Sequence, residues 1–296
     1  MNSERIDLNG YFLVRDKGNG EWVMVLSGPW VEEYHQVILT RKITSLRLSY
    51  SAGWTERDIS FVRNLKNIRS LEIYNWDVTD ISPLAEITQL EKLGIECNYK
   101  KSIDFSQFMK LHTLLLRWRP KSENIFDATS IQNLSITNFP YENLTKMNKL
   151  DKLESLKLTS KKLLTLNGAE NLSNLTSIDL FRCPSLTSLE GVQGAAKLRV
   201  IELDTCKKVN DLAPLGDLSE LRSVTLNNCE AIKTLLPLRK CHQIETLFLT
   251  ESTNIEDGSI SVFNELPNIK TMWFANRKHY SHTREQVQEA IRLRQY

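Results

Sequence analysis

A six-residue phrase, apolar-x-x-apolar-x-apolar, recurs along the chain. It begins at Ile43, Ile68, Leu90, Leu111, Ile131, Leu153, Leu175, Leu198, Leu221, Ile244 and Ile269, in steps of 20 to 25 residues. In frame, Leu153, Leu156 and Leu158 are followed by Leu175, Ile178 and Leu180, then by Leu198, Ile201 and Leu203. The last two apolar positions of each phrase lie two apart, the period of a strand that turns alternate side chains to one face. A single strand this short cannot bury its apolar side. A repeat at this period predicts stacked units whose strands pair in parallel and share a continuous core. The rest of each unit must then return across the other side as an extended, 3₁₀ or short helical segment.

Several returns share a grammar. Residues 78–90, with Val78, Asp80, Ile81, Pro83, Leu84, Ile87 and Leu90, match residues 209–221, with Val209, Asp211, Leu212, Pro214, Leu215, Leu218 and Leu221. Residues 232–244 are a weaker copy around Pro237, and residues 117–139 are irregular. In this phrase and period, residues 43–276 resemble the leucine-rich repeat superfamily, within it the bacterial, internalin-like class of about 22-residue repeats. The resemblance implies an α/β fold: a leucine-rich repeat solenoid with a curved, parallel concave sheet of about eleven strands and an irregular, 3₁₀ or short helical convex side. Residues 1–42 are then expected to form an N-terminal capping β-hairpin unit turning at Gly18-Asn19-Gly20, and residues 277–296 a C-terminal helical cap with Thr283 as N-cap. The family supplies binding surfaces, so the resemblance implies a protein-binding scaffold and no enzyme.

Charge changes the picture little. Across 296 residues, 38 Lys plus Arg against 36 Asp plus Glu give a net charge of +2, far from the basic balance of a dedicated nucleic-acid binder. No apolar run approaches the ~18 residues of a membrane span, and no basic segment followed by an apolar one marks an export signal at the start. Five cysteines, an odd number, suit free thiols in a reducing compartment. A cytoplasmic location is the expectation.

Candidate chemistry is sparse. Cys183, Cys206 and Cys229 are spaced 23 apart, each eight residues after the first apolar of its unit, and Asn98 holds that place after Leu90. In the resembled family this position takes Asn or Cys and bonds the turning backbone, which implies a structural ladder; one thiol per turn lacks the clustered ligands of a zinc site. His279 and His282 lie three apart with no Cys, Asp or Glu adjacent to complete a set. No phosphate loop, dinucleotide fingerprint, His-Glu-x-x-His or nucleophile elbow is present. Neither a metal nor a cofactor is expected. The basic residues at 277, 278, 284, 292 and 294 read as a solvated face.

Strand positions between the apolar ones must face away from the core, onto the concave side. Three clusters emerge there: Tyr74, Trp76, Leu115, Arg117, Trp118 and Arg119 as an aromatic-arginine patch; Asp179, Glu202 and Asp204 as an acidic patch around Phe181; and Phe248 with Trp273 near the end. Tyr, Trp and Arg are the types that most often dominate binding energy. For Trp76, Trp118 and Arg119 the alternative is that they cover the irregular returns. The expected role is a bacterial cytoplasmic inhibitor, such as an immunity protein that occludes a toxin or effector domain. The alternative is an adaptor or substrate-recognition subunit. The expected partner is another protein, with no nucleic acid and no membrane, and the free chain is expected to be a monomer.

Overall fold

A computed structural model describes residues 4–16, 18 and 20–294. The chain divides at Asn133 into two compact units.

The first unit opens with β1 (Arg5–Leu8), β2 (Tyr11–Arg15) and β3 (Trp22–Leu26), which pair antiparallel. Asp16 and Glu21 close the turn between β2 and β3 through a 2.8 Å backbone bond. The expected hairpin is therefore present, although Lys17 and Asn19 of its turn lie outside the described residues. A hairpin alone is too simple a description of this end. β3 leads through helix α1 (Glu33–Thr40) into β4 (Ser45–Ser49) and pairs with it in parallel, as one repeat pairs with the next. Tyr34 and Ile38 of α1 are buried, and Tyr34 packs edge-on against Tyr11 at 5.0 Å. Parallel pairing continues through β5 (Ser70–Tyr74), β6 (Lys92–Ile95) and β7 (Thr113–Arg117).

The second unit carries β8 (Asn133–Thr137), β9 (Ser155–Leu158), β10 (Ser177–Phe181), β11 (Val200–Asp204), β12 (Ser223–Asn227), β14 (Thr246–Thr250) and β16 (Thr271–Phe274), with β8 beside β9 and all later neighbours parallel. The short β13 (Ala231–Ile232) and β15 (Asn254–Ile255) pair separately on the return side. Each of the eleven phrases read from the sequence has its strand.

Register explains the core. Leu156, Ile178, Ile201, Val224 and Leu247 are cross-strand partners and all fully buried, as are Leu46, Leu71, Leu93 and Leu114 in the first unit. The returns are 3₁₀ turns where the grammar placed them, at Ser82–Glu86, Ala213–Leu215 and Leu236–Lys240, each with proline in its first turn, where the missing N–H would have no partner. α2 (Val262–Glu265) and α3 (Arg284–Arg294) end the described chain. Thr283 caps α3 reciprocally: its Oγ1 accepts from the Gln286 N–H at 3.3 Å, and Gln286 Oε1 accepts from the Thr283 N–H at 2.8 Å. Of the basic residues near this end, Lys278, Arg292 and Arg294 are exposed as expected and Arg277 and Arg284 are half-buried, but two of them also fasten backbone. Arg277 donates to the Ser252 and Thr253 carbonyls, and Arg294 to those of Phe263, Asn264 and Leu266.

Candidate interaction face

The strand face opposite the core, here the open face, carries the candidate residues. In the second unit Asp179 pairs in register with Glu202, and Phe181 with Asp204. Neighbouring strands lie about 4.8 Å apart, so these four side chains stand side by side. They share a depression of about 350 Å³ with Lys157, Thr137, Thr159 and Ser135. Phe181 is 39% exposed on it, with the Arg182 guanidinium 4.8 Å from its ring centroid.

The three carboxylates are not left to repel one another, as their spacing in the sequence suggests. Lys157 Nζ sits 2.8 Å from Asp179 Oδ2, and that hydrogen bond raises the Lys157 ammonium above its ordinary value. Asp204 accepts from the Thr205 hydroxyl at 2.6 Å and from Asn227 Nδ2 at 2.8 Å. Lys157 and the Arg182 guanidinium beside the ring, against three carboxylates, leave one net negative charge around an exposed aromatic ring. Asp204 is held in one orientation, whereas Glu202 stands exposed.

The aromatic-arginine patch in the first unit divides. Trp76, 46% exposed, has the guanidinium carbons of both Arg117 and Arg119 at 4.8 Å from its ring centroid. Arg119 also donates to the Cys97 carbonyl at 3.1 Å and to Asn98 Oδ1 at 2.7 Å, so it fastens the turn as well as facing Trp76. Trp118 instead stacks on Phe126, at 5.7 Å and 25°, over the 3₁₀ segment Pro120–Asp127. For Trp118 the covering alternative describes its position. Leu115 pairs in register with Gly94, next to Tyr74. Phe248 and Trp273 are cross-strand partners, and Arg284 of α3 lies 5.6 Å from the Trp273 ring centroid.

A third arrangement escaped the reading of the sequence. Glu72 on β5 is only 5% exposed, yet it lies on the open face. Arg47 Nε hydrogen-bonds one of its oxygens, and Lys92 Nζ lies 2.7 Å from the other. Burial alone would raise this carboxyl, but the bonds from Lys92 and Arg47 outweigh it and hold it below the usual carboxylate range. Burial, with the Glu72 charge beside it, pushes the Tyr74 phenol up. Gly94 makes the room: a Cβ there would meet the Tyr74 hydroxyl at 3.0 Å and Glu72 Cγ at 3.1 Å. The available signal was Gly94 itself, a residue with no side chain in the middle of a strand.

The cysteine ladder is structural. The Cys206 thiol lies 3.5 Å from the Leu180 carbonyl and the Cys229 thiol 3.3 Å from that of Leu203. The assignment of Asn98 to this ladder is corrected: Asn98 is exposed and donates to the Trp76 carbonyl, and its neighbour Cys97 is the buried one. The cause is a left-handed residue, Arg182, Thr205 or Asn228, placed just before each of Cys183, Cys206 and Cys229. It adds one residue to these units and moves the inward position from seventh to eighth. Cys97, Asn75 and Ser160, in units without it, are buried at the seventh. His279 bonds the Ile255 carbonyl at 2.9 Å, and no group of three metal-ligating side chains gathers among the described residues.

No family model matches the chain, and no curated protein does. Solved structures do. An internalin (inlF) from Listeria monocytogenes is similar at a TM-score of 0.61 and 19% identity, over 84% of this chain and 72% of that one. The functional domain of InlJ from Listeria monocytogenes, described as including a cysteine ladder, is similar at 0.55 and 18%, over 77% of this chain and 48% of that one. TLR13, in a complex with ssRNA13, is similar at 0.57 and 16%, over 84% of this chain and 41% of that one. The fold is therefore that of leucine-rich repeat proteins.

Proposed function

We propose that this chain is a protein-binding repeat scaffold, and that its role is that of a bacterial cytoplasmic inhibitor of the immunity-protein kind, occluding a basic surface of a toxin or effector. The observation that carries this reading is the depression of the second unit, where Asp179, Glu202 and Asp204 surround an exposed Phe181. The net negative charge there favours a basic partner and speeds its approach, while the ring offers an apolar anchor. The same charge repels phosphate, so this site does not suit a nucleic acid such as the RNA bound by TLR13. Trp76 with Arg117 and Arg119, Tyr74 with Leu115, and Phe248 with Trp273 are proposed as further contacts, with residues 1–42 and 277–296 as end caps. A role as adaptor would need a second docking surface.

The test is capture of the partner followed by calorimetric titration. Asp179→Lys with Glu202→Lys should weaken binding at least about tenfold, a loss of about 1.4 kcal/mol, and parent binding should weaken steeply with salt. Glu190→Lys with Lys208→Glu, both exposed and away from the depression, should leave affinity unchanged. Glu170 does not serve as such a control, since its carboxylate accepts the Gly168 N–H at 2.7 Å. Binding that is lost in the control pair and kept in the acidic pair would refute the reading.

A further inference from the structure

The strand β1 pairs with β2 on one side, and among the described residues no strand pairs with its other edge. All four of its residues are exposed. Such an edge is a template for another strand unless something blunts it. Which backbone groups are on offer follows from the register. Glu4 O accepts from the Arg15 N–H at 3.2 Å, so Glu4 points its backbone toward β2. Alternation then turns Ile6 and Leu8 the same way and leaves the N–H and C=O of Arg5 and Asp7 facing outward.

The side chains sort by face. Ile6 stands opposite Leu13 and Leu8 opposite Tyr11, on the core side where Leu13 and Tyr11 are buried. Ile6 and Leu8 themselves stay 37% exposed, an apolar margin left uncovered among the described residues. Arg5 and Asp7 lie on the opposite face, bonded to each other at 2.6 Å, with the Arg5 guanidinium 3.8 Å from the Phe12 ring centroid.

A second copy adding its own β1 antiparallel must oppose outward-facing residues. Three symmetric registers do so. Centring the two-fold on Arg5 sets Arg5 against Arg5, and centring it on Asp7 sets Asp7 against Asp7; like charges directly opposite are unfavourable. Centring it on Ile6 sets Arg5 of each copy against Asp7 of the other, twice, in hydrogen-bonded pairs on one face. Ile6 then meets Ile6 in the closer, non-hydrogen-bonded pair on the other face. We propose that β1 is a docking edge for β1 of a second copy of this chain, paired antiparallel about Ile6 in the register that brings Arg5 to Asp7. Four residues per strand bury little surface, so the dimer is of the weak class. It replaces the expectation of a strict monomer and does not depend on the partner read for the second unit.

Sedimentation equilibrium of the full chain should show the average mass rising toward twice the monomer's as concentration increases. Asp7→Arg, which sets Arg5 against an arginine in both pairs, should weaken self-association about tenfold. Arg5→Asp combined with Asp7→Arg restores opposite charges and should restore the dimer. Cross-linking fixes the register independently. Ile6→Cys places two thiols about 4.5–5.5 Å apart at Cβ, close enough to join on mild oxidation. Leu8→Cys leaves them four residues, about 13 Å, out of register. All five native cysteines are buried and do not compete. A monomer at every concentration overturns the proposal, and so does a dimer indifferent to Asp7→Arg. A double swap that fails to restore association, or Leu8→Cys cross-linking as readily as Ile6→Cys, overturns the register and with it the proposal.

Discussion

Glu72 is enclosed by Arg47, Lys92 and Tyr74, so a change there can remove charge while keeping shape. Glu72→Gln should lower stability by about 1.5–3 kcal/mol, the range for hydrogen bonds to charged groups, because the two cations keep partial access to water. The pH dependence has a definite sign. A carboxyl whose folded value is depressed contributes its full stabilisation above the unfolded value of about 4.3, and loses it as pH falls through the lower folded value. The difference in melting temperature between parent and Glu72→Gln should therefore be full at pH 7 and shrink toward zero below about pH 4. A difference that grows on acidification would mean that Glu72 is folded in its neutral form. The cluster was hidden in the sequence for a physical reason. Its members come from three strands, and only the register between them, with the vacancy at Gly94, brings the charges together.

The ladder shows how an element departs from the pattern that predicts it. The apolar phrase fixed where each strand begins, because burial tolerates no shift of one residue. It could not fix the turn that follows, because one left-handed residue lengthens the unit without altering the phrase. That is why the ladder place of Asn98 belongs to Cys97, while Cys183, Cys206 and Cys229 stood where expected. Thr205 holds this left-handed turn at φ 57°, an uncommon conformation for a β-branched residue. Asn228 holds the same turn in the next unit. Thr205→Asn relieves that strain but removes the hydroxyl that donates to Asp204 at 2.6 Å, and the two effects, each about 1–2 kcal/mol and opposite in sign, should leave the denaturant midpoint nearly unchanged. The thiols themselves should be silent. Burial pushes Cys97 up to about 12 and Cys229 and Cys241 to about 11, and hydrogen bonding to Cys183 together with burial holds Cys206 higher still. The hydrogen bond with Cys206 holds Cys183 below its ordinary value, so its silence rests on burial alone. A thiol reagent near pH 8 should label no cysteine in the folded chain and all five after unfolding, and chelators should leave folding unchanged.

At the scale of the molecule, each repeat contacts its neighbours within its own unit and contributes a slab to that unit's core, so damage to one slab spreads along the unit. Leu156 and Lys157 are adjacent on β9 and face opposite ways: Leu156 is fully buried against Ile178, and Lys157 reaches Asp179 from the open face. Leu156→Asp places a carboxylate among apolar neighbours without a partner, at a cost of several kcal/mol. Its effect should extend beyond β9, with amide hydrogen exchange rising through β8, β10 and β11 and the cooperative melt of the second unit broadening or disappearing. Lys157→Ala removes only an exposed ion pair and should change stability by less than about 1 kcal/mol. The contrast between neighbouring positions tests the register directly, since a one-residue slip would exchange the two outcomes. Native exchange rates for Leu156→Asp, with unfolding for Lys157→Ala, would turn every face assignment in the second unit over, the depression around Phe181 included.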